Sequence, residues 1–243
     1  MKKPLLFLLF PAAIAILGAS RPSHTKTQGF AVVELFTSEG CSSCPPADEA
    51  VAALSKQYPD GVYVLSFHVD YWDHLGWKDP FSNAAYSQRQ REYGQQFRLS
   101  SIYTPEVVVN GKTEFVGSDA GKLRSTIDQE LAHTTNFIIE ASAKNLNNKT
   151  ITVNYTLKKS STTIVQAALI QRQAATAVKR GENAGRQLQH ANIVRDLKTS
   201  SGNSGTLTLD LPAGLAAGDC KVLLFLQDKD NLHIEGAKAL DIH

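Results

Sequence analysis

The first half of the chain alternates between apolar runs and stretches in which apolar residues recur at helical spacing. Residues 31–36 and 62–69 are nearly continuous apolar runs, and such runs are typical of strands that are covered on both faces. Between them, the spacing of the apolar residues from 47 to 58 predicts a helix that ends before the turn signal Pro59-Asp60-Gly61. The pattern favours a sheet with helices packed on it.

Turn and capping residues place the other elements of this half. Asn110-Gly111 is the dipeptide of a two-residue hairpin, and it joins predicted strands at 106–110 and 112–116. Asp79-Pro80 predicts the start of a second helix, and Ser118 or Asp119 predicts the cap of a third. The predicted order of elements is βαβαββα.

The composition shifts near residue 135, after which almost every segment has the pattern of a strand. Short apolar or alternating runs are separated by turn residues such as Asn147-Asn148 and Gly205. Several short strands of this kind favour a β-sandwich. We therefore expect an α/β domain at residues 29–135, followed by an all-β, sandwich-like domain at residues 136–243.

Residues 1–20 have the pattern of a secretory signal peptide. Lys2 and Lys3 form a positive start, residues 5–17 are apolar, and Gly18-Ala19-Ser20 supplies small residues for cleavage. The apolar run is shorter than the ~20 residues that a membrane-spanning helix needs. We expect an exported protein, periplasmic or secreted, with no stable membrane span in the mature chain.

The charge balance argues against a polyanionic partner. The chain holds 25 Lys and Arg against 23 Asp and Glu, so removal of Lys2 and Lys3 leaves 23 of each. A chain without excess charge gives no electrostatic reason to bind nucleic acid or an anionic membrane.

Cys41 and Cys44 are the residues most suited to chemistry. They are separated by Ser42-Ser43 and stand between the first predicted strand and the first predicted helix. A dithiol of this spacing can close a disulfide and open it again without moving the fold. At the start of a helix, and open to solvent, Cys41 would be favoured as the attacking thiolate, with Cys44 as the resolving thiol.

Two other uses of the same cysteines stay open. One is a permanent structural disulfide, and the other is copper binding by the two thiolates together with His68 and His74. Zinc is disfavoured because a second ligand pair is missing from the sequence, and no cofactor is expected. Cys220 opens an apolar strand, which favours burial as a small hydrophobic residue over pairing with another chain.

Several of these features together resemble the thioredoxin fold over residues 31–133. The resemblance depends on the two cysteines at a strand-to-helix turn, on Thr104-Pro105 before the third strand and on Asn110-Gly111. It implies that Pro105 is cis and lies against the dithiol, and that the backbone of Thr104 pairs with a substrate chain. Thioredoxin itself has Trp before its first cysteine and Gly-Pro between the two, whereas this chain has Glu39-Gly40 and Ser42-Ser43.

A closer resemblance is to an uncharacterised family of secreted thioredoxin-like bacterial proteins. It depends on the motif at residues 33–48, on His68-Val69-Asp70-Tyr71-Trp72 and on Gly181-Glu182-Asn183. It implies no substrate. The loop 180–186 either reaches the dithiol or only joins two strands.

Polar and aromatic residues gather where the second strand ends. Ligands and chemistry collect at the carboxyl ends of parallel strands, so His68 and Asp70 are candidate proton acceptors for the buried thiol, and Trp72 and Trp77 are candidate contacts for a substrate chain. For the aromatic residues the alternative is packing under a long connection. Glu39 would oppose thiolate formation at Cys41 if it faced the site, and otherwise it is solvated.

The sequence therefore favours an exported thiol-disulfide oxidoreductase that acts on protein thiols or disulfides and exchanges electrons with a further redox partner. The alternatives are a copper-binding module that uses the same cysteines and a structural domain with an inert disulfide.

Overall fold

The computed structural model describes residues 29–58, 60–135, 137–157 and 163–243. The predicted signal peptide at residues 1–20 lies outside these ranges. Within them the protein is a mixed α/β structure with one eight-stranded sheet, one three-stranded sheet and three α-helices.

The first half has the element order that the sequence predicts. Its elements are β1 (Ala31–Thr37), α1 (Pro45–Gln57), β2 (Val62–His68), a short 3-10 helix (Asp73–Leu75), α2 (Ala84–Gln96), β3 (Glu106–Val109), β4 (Thr113–Val116) and α3 (Ala120–Ala132). Strands dominate the second half, as expected: β5 (Ile139–Asn145), β6 (Thr150–Leu157), β7 (Ile164–Ala177), β8 (Gln187–Ser201), β9 (Ser204–Asp210), a 3-10 helix (Ala217–Asp219), β10 (Cys220–Gln227) and β11 (Ile234–Leu240).

The two halves share one sheet, whose strand order is β11-β10-β7-β8-β2-β1-β3-β4. β1 and β2 are parallel, and β2 also pairs in parallel with β8 at Ser66 and Ile193. The Ser66 hydroxyl donates to the carbonyl of Ala191 at 2.8 Å, beside this pairing. One sheet thus continues past residue 135, and the division into domains at residues 29–135 and 136–243 stays a prediction.

In the second half, the three-stranded sheet packs against the part of the eight-stranded sheet that contains β7 and β10. The three-stranded sheet β5-β6-β9 places Ile151, Val153 and Leu209 against Leu169 of β7 and Leu224 of β10. All five side chains are fully buried. The sequence shows the two apolar faces, but it does not show that β7 and β10 also extend the sheet of the first half.

Side-chain alternation along β1 supplies a core on each face of the large sheet. Val33 and Leu35 pack with α1 and α3 on one face, whereas Val32 and Phe36 pack toward α2 on the other. Because strand side chains point alternately to the two faces, a strand covered on both sides is apolar throughout. This places the carboxyl end of β1, and the cysteines that follow it, between helical layers.

The predicted turns and caps are mostly confirmed. Asn110 and Gly111 have φ of +48° and +65° and connect β3 to β4 as a hairpin. The Asp119 carboxylate caps α3 by accepting the Lys122 N–H at 2.9 Å. The helix start at Asp79-Pro80 is wrong: α2 is capped by Asn83 instead. The Asp79 carboxylate does accept the Phe81 N–H at 2.9 Å, as a cap would, but the turn that follows does not continue as a helix, which begins only at Ala84. Asp79 is also buried and hydrogen-bonded to His68.

A buried polar cluster around Arg89 joins α2 to both halves. The guanidinium of Arg89 donates to both carboxylate oxygens of Glu34 on β1, at 2.5 and 2.9 Å. It also donates to the amide oxygens of Gln166 on β7 and Gln227 on β10, at 3.4 and 3.2 Å. A buried charge is tolerated when it is paired and hydrogen-bonded, and here the partners come from three strands of the shared sheet.

We predict that Arg89→Ala lowers the free energy of unfolding by about 3–5 kcal/mol, because it leaves the Glu34 carboxylate buried without its cation. Urea unfolding of the oxidised protein measures this. Arg91→Ala is the matched control, since Arg91 is exposed on the same helix, and its effect is expected to stay within about 0.5 kcal/mol. Equal effects of the two variants would contradict a role for Arg89 in joining the halves.

Candidate active site around Cys41 and Cys44

The two cysteines form a disulfide between the end of β1 and the start of α1. Cys41 and Cys44 are bonded to each other, and Cys44 is the N-cap residue of α1. Both are fully buried, with 0% of their surface exposed. We expected Cys41 to be open to solvent, and this is wrong for the oxidised protein. Ser42 and Ser43, between them, are exposed.

The Thr104–Pro105 segment lies directly across from Cys41. Its peptide bond is cis, as the family resemblance implied. The Cys41 sulfur is 3.8 Å from the carbonyl oxygen of Thr104 and 3.3 Å from the hydroxyl oxygen of Ser43. The sulfur therefore faces the backbone that comes just before β3.

Trp72 connects the two sides of this site. Its indole N–H donates to the Thr104 hydroxyl at 2.8 Å. A Cβ placed on Gly40 would lie 2.9 Å from the Trp72 Cβ, closer than real Cβ atoms approach, so a glycine is needed where Trp72 crosses the chain before Cys41. Trp72 thus fills the space between Gly40 and Thr104 in the oxidised protein.

Trp77 is half-buried and hydrogen-bonded to Glu39, and its contact with a substrate stays a prediction. Its indole N–H donates to one carboxylate oxygen of Glu39 at 2.7 Å. The other oxygen lies 3.0 Å from the Nε2 atom of His190, on β8 of the second half. The Glu39 carboxylate is fully buried and both of its oxygens are occupied. Neither expectation for Glu39, solvation or opposition to the Cys41 thiolate, describes this position.

His68 belongs to a buried group of acids and imidazoles behind the disulfide. Its Nδ1 atom is 2.7 Å from the carboxylate of Asp79, which also accepts the Glu39 N–H at 2.9 Å. The rings of His68 and His190 lie 5.0 Å apart. Burial opposes the charged form of both members of the His68–Asp79 pair, but their mutual attraction outweighs it, so the pKa of His68 is raised and that of Asp79 is lowered.

Asp48 extends this group toward Cys44. It is four residues after Cys44 on α1, so the two side chains share one face of the helix. Burial raises the pKa of Asp48 to about 6, although the nearby imidazoles of His68 and His190 act in the other direction. A carboxyl group with this pKa can take up or release a proton near neutral pH.

Asp70 and His74 stand apart from this group. The Asp70 carboxylate accepts the hydroxyl of Ser87 on α2 at 2.5 Å. His74 is exposed, and its Nδ1 is 2.7 Å from the carbonyl oxygen of Tyr71. In the part of the chain that the structure describes, no three or more His, Cys, Asp or Glu side chains are arranged to hold a metal ion. The predicted copper ligands His68 and His74 thus do not form a ligand set with the cysteines.

Residues 178–186, which we call the strap, connect β7 to β8 and contact the cysteine turn. The buried side-chain amide of Asn183 donates to the carbonyl oxygens of Glu39 and Cys41, both at 2.9 Å. Arg186 donates to the Asn183 amide oxygen at 2.9 Å and fixes its orientation. The carboxylate of Glu182 accepts the Ser42 N–H at 3.0 Å. Of the two roles left open for loop 180–186, the structure shows that it reaches the dithiol.

Glu106, directly after Pro105, is a buried acidic residue on the same face of β3 as Val108, the face that packs toward α2. One carboxylate oxygen accepts from the Gln90 amide at 2.6 Å, and the other has no hydrogen-bond partner among the described residues. Burial raises the pKa of Glu106 from 4.5 to about 7, although the hydrogen bond from Gln90 opposes the rise. Glu106 therefore holds a proton over most of the acidic range.

Sequence reasoning missed five polar residues at or beside this site: Asp48, Asp79, Glu106, Asn183 and His190. Asp79 was interpreted as a helix cap, and Glu106 and Asp48 were treated as parts of a strand and a motif. His190 and Asn183 lie more than 140 residues from Glu39 along the chain. Only the motif Gly181-Glu182-Asn183 gave a signal for the strap.

We predict that Glu106→Gln flattens the pH dependence of stability. The folded protein holds the Glu106 proton at pH values where the unfolded chain has lost it, so the free energy of unfolding falls as pH rises from about 4.5 to about 7. For a pKa shift of this size the fall is about 3 kcal/mol. Urea unfolding at a series of pH values measures the difference between wild type and variant.

Glu92→Gln is the control for this experiment, because Glu92 is an exposed carboxylate on α2. Its curve is expected to run parallel to that of the wild type. A Glu106→Gln curve that also runs parallel would show that Glu106 ionises normally in the folded protein.

Comparison with known proteins gives similarities over both halves. Residues 32–227 match the model of a family described as "Protein of unknown function (DUF1223)". A thioredoxin of Methanocaldococcus jannaschii is 31% identical over 86 residues, which cover 35% of this chain and 78% of the thioredoxin. A crystal structure of a protein from Agrobacterium tumefaciens is 28% identical, with a TM-score of 0.65 over 86% of this chain and 93% of that one.

Helices of the described residues are all too short or too polar to cross a bilayer. The family model extends from β1 to the end of β10, so it includes the cysteine turn, the Thr104–Pro105 segment, His190 and the strap. The chain thus belongs to the family described as "Protein of unknown function (DUF1223)".

Proposed function

We propose that this protein exchanges disulfides with the thiols or disulfides of partner proteins through Cys41 and Cys44, in the manner of thioredoxin-like oxidoreductases. The observation that carries the proposal is the placement of the Cys41 sulfur 3.8 Å from the Thr104 carbonyl, beside a cis proline. An extended partner chain could pair with the Thr104 backbone and so bring its own sulfur to Cys41. The similarity to a thioredoxin of Methanocaldococcus jannaschii over 86 residues supports this proposal.

The exchange proceeds in two balanced steps. The Cys41 thiolate attacks a partner disulfide, a mixed disulfide forms, and one partner sulfur leaves as a thiolate. Cys44 then loses its proton and attacks the Cys41 sulfur, which releases the second partner thiolate and closes the Cys41–Cys44 disulfide. Two electrons pass to the partner, and the same steps in reverse oxidise a partner dithiol.

The buried acids and imidazoles supply a place for the Cys44 proton. Asp48 shares a helix face with Cys44 and has a pKa of about 6. The Nδ1 atom of His68 is hydrogen-bonded to Asp79, and its Nε2 atom has no hydrogen-bond partner among the described residues. We assign acceptance of the Cys44 proton to Asp48. His68 is held as the imidazolium by Asp79, so it can donate a proton but not accept one, and Asp70, the other candidate from the sequence, is engaged with Ser87.

Access to Cys41 requires a local movement, because the sulfur is fully buried when oxidised. Trp72 is the group to move: its side chain joins Gly40 to Thr104, the two segments between which a partner chain would lie. In the oxidised protein, Trp72 thus occupies the space in which we expect a substrate chain to bind and contact it.

We also propose that the exchange takes place outside the cytoplasm. Residues 1–20 have the pattern of a secretory signal, and exported proteins meet the oxidising surroundings in which thiol-disulfide exchange is needed.

We predict that the Cys44→Ala variant forms a stable mixed disulfide between Cys41 and glutathione when it is incubated with oxidised glutathione, because no resolving thiol remains. Mass spectrometry of the peptide that contains residue 41 detects the adduct. The matched variant Cys41→Ala is expected to give little or no adduct, since Cys44 is the N-cap residue of α1, whereas it is the Cys41 sulfur that faces the Thr104 backbone.

Wild-type protein in mixtures of reduced and oxidised glutathione is expected to settle at a reversible ratio of dithiol to disulfide. A disulfide that is unchanged over the whole range of mixtures, together with no adduct on Cys44→Ala, would reject the proposed function in favour of an inert disulfide.

A further inference from the structure

The backbone offers unusually few N–H donors to a thiolate at Cys41. The first turn of a helix normally presents unpaired N–H groups to an anion. Here the first two residues of α1 are Pro45 and Pro46, which have no N–H. The Cys44 N–H is donated to the Cys41 carbonyl at 3.2 Å. Between the cysteines, the N–H groups of Ser42 and Ser43 remain as possible donors to a Cys41 thiolate.

Glu182 takes one of these two donors. Its carboxylate accepts the Ser42 N–H at 3.0 Å and thereby adds a negative charge next to the residue that would carry the thiolate. Hydrogen bonds from the Ser42 hydroxyl and, to a smaller extent, from its N–H lower the pKa of Glu182, so the carboxylate is ionised at neutral pH. Of the two glutamates near Cys41, Glu182 is the one that faces the cysteine turn, since Glu39 is bound to Trp77 and His190.

The strap holds Glu182 in this position. Gly181 has φ of +76°, a left-handed conformation that glycine adopts without strain, and a Cβ there would contact Trp77 at 3.4 Å. On the other side, the buried Asn183 is fixed by its bonds to the carbonyl oxygens of Glu39 and Cys41. The Gly181 carbonyl also accepts the Ala184 N–H at 3.2 Å, so Glu182 lies in a turn that keeps its carboxylate at Ser42.

We propose that Glu182, supplied by the second half of the chain, is a redox-tuning residue that disfavours the Cys41 thiolate and so biases the pair toward its disulfide. This inference rests on the proposed function, because it concerns the poise of the same two cysteines. It gives the strap a chemical role besides its structural one.

The bias favours one direction of the exchange without fixing it, because a fivefold change in an equilibrium constant corresponds to about 20 mV for a two-electron couple. A dithiol whose thiolate is stabilised is a strong oxidant as a disulfide, and the converse arrangement favours the disulfide. The reduced protein therefore passes its two electrons to a partner disulfide, the partner is reduced to two thiols, and Cys41–Cys44 closes. A dithiol protein of lower potential must then return two electrons for the next cycle.

The test is the pKa of the Cys41 thiol, measured by thiolate absorbance at 240 nm as pH is raised. Cys44→Ala serves as the background so that Cys41 titrates alone in this range, because burial raises the pKa of Cys220 to about 11. Adding Glu182→Ala is expected to lower the Cys41 pKa and to increase the acid dissociation constant by up to about fivefold, which is the effect that a unit charge at ~4 Å would have in water.

Glu49→Ala in the same background is the matched control, since Glu49 is an exposed carboxylate near the start of α1. A pKa that Glu182→Ala leaves unchanged, or moves no further than Glu49→Ala does, would overturn the inference. The titration needs no redox partner. An unchanged pKa with reversible glutathione exchange therefore rejects only the role of Glu182, and a shifted pKa with no exchange rejects only the proposed function.

Discussion

The buried carboxylate of Glu39 is the constraint on which this site depends. A charge removed from water must be paired and hydrogen-bonded, because its desolvation is otherwise too costly. Glu39 stands two residues before Cys41, and its partners are Trp77 from the first half and His190 from the second. The polar surroundings of the cysteines thus exist only when β8 lies beside β2, so the fold of the second half is part of the site.

The elements of the first half could be predicted from the sequence because their signals are local. Asn110-Gly111 specifies a hairpin by its backbone conformation, and the apolar run of β1 specifies a strand covered on both faces. Asp79 misled the prediction because it does accept the Phe81 N–H as at a helix start, but the chain forms only a turn there and the helix begins after Asn83. The second half was assigned the right kind of element, but no local signal shows that Ile193 pairs with Ser66.

Part of the candidate site could likewise be predicted from local sequence signals, and part of it could not. The grouping of Cys41, Cys44 and Pro105 could be predicted because a motif and a family resemblance mark these residues in the sequence. His190 and Asn183 come from segments far along the chain, and their roles depend on a strand pairing that periodicity cannot reveal. The burial of Cys41 was missed for the same reason, since Trp72 packs across Gly40 and the strap covers the cysteine turn only in the folded chain.

A buried disulfide can still be a working one if the groups that cover it move without unfolding the sheet. Trp72 and the strap lie on connections between elements, whereas the cysteines are anchored on β1 and α1. Local openings of loops cost much less free energy than global unfolding. We therefore expect the pair to open and close in a protein that stays folded.

The most direct measurement follows the reduction of the Cys41–Cys44 disulfide by dithiothreitol in the absence of denaturant, with near-ultraviolet circular dichroism recorded on the same sample. We expect both cysteines to become reducible, and to re-form the disulfide on oxidation, while the signal from the packed aromatic residues is retained. Reduction that occurs only as this signal is lost would contradict the proposal, because it would show that the disulfide is a structural bond opened only by unfolding.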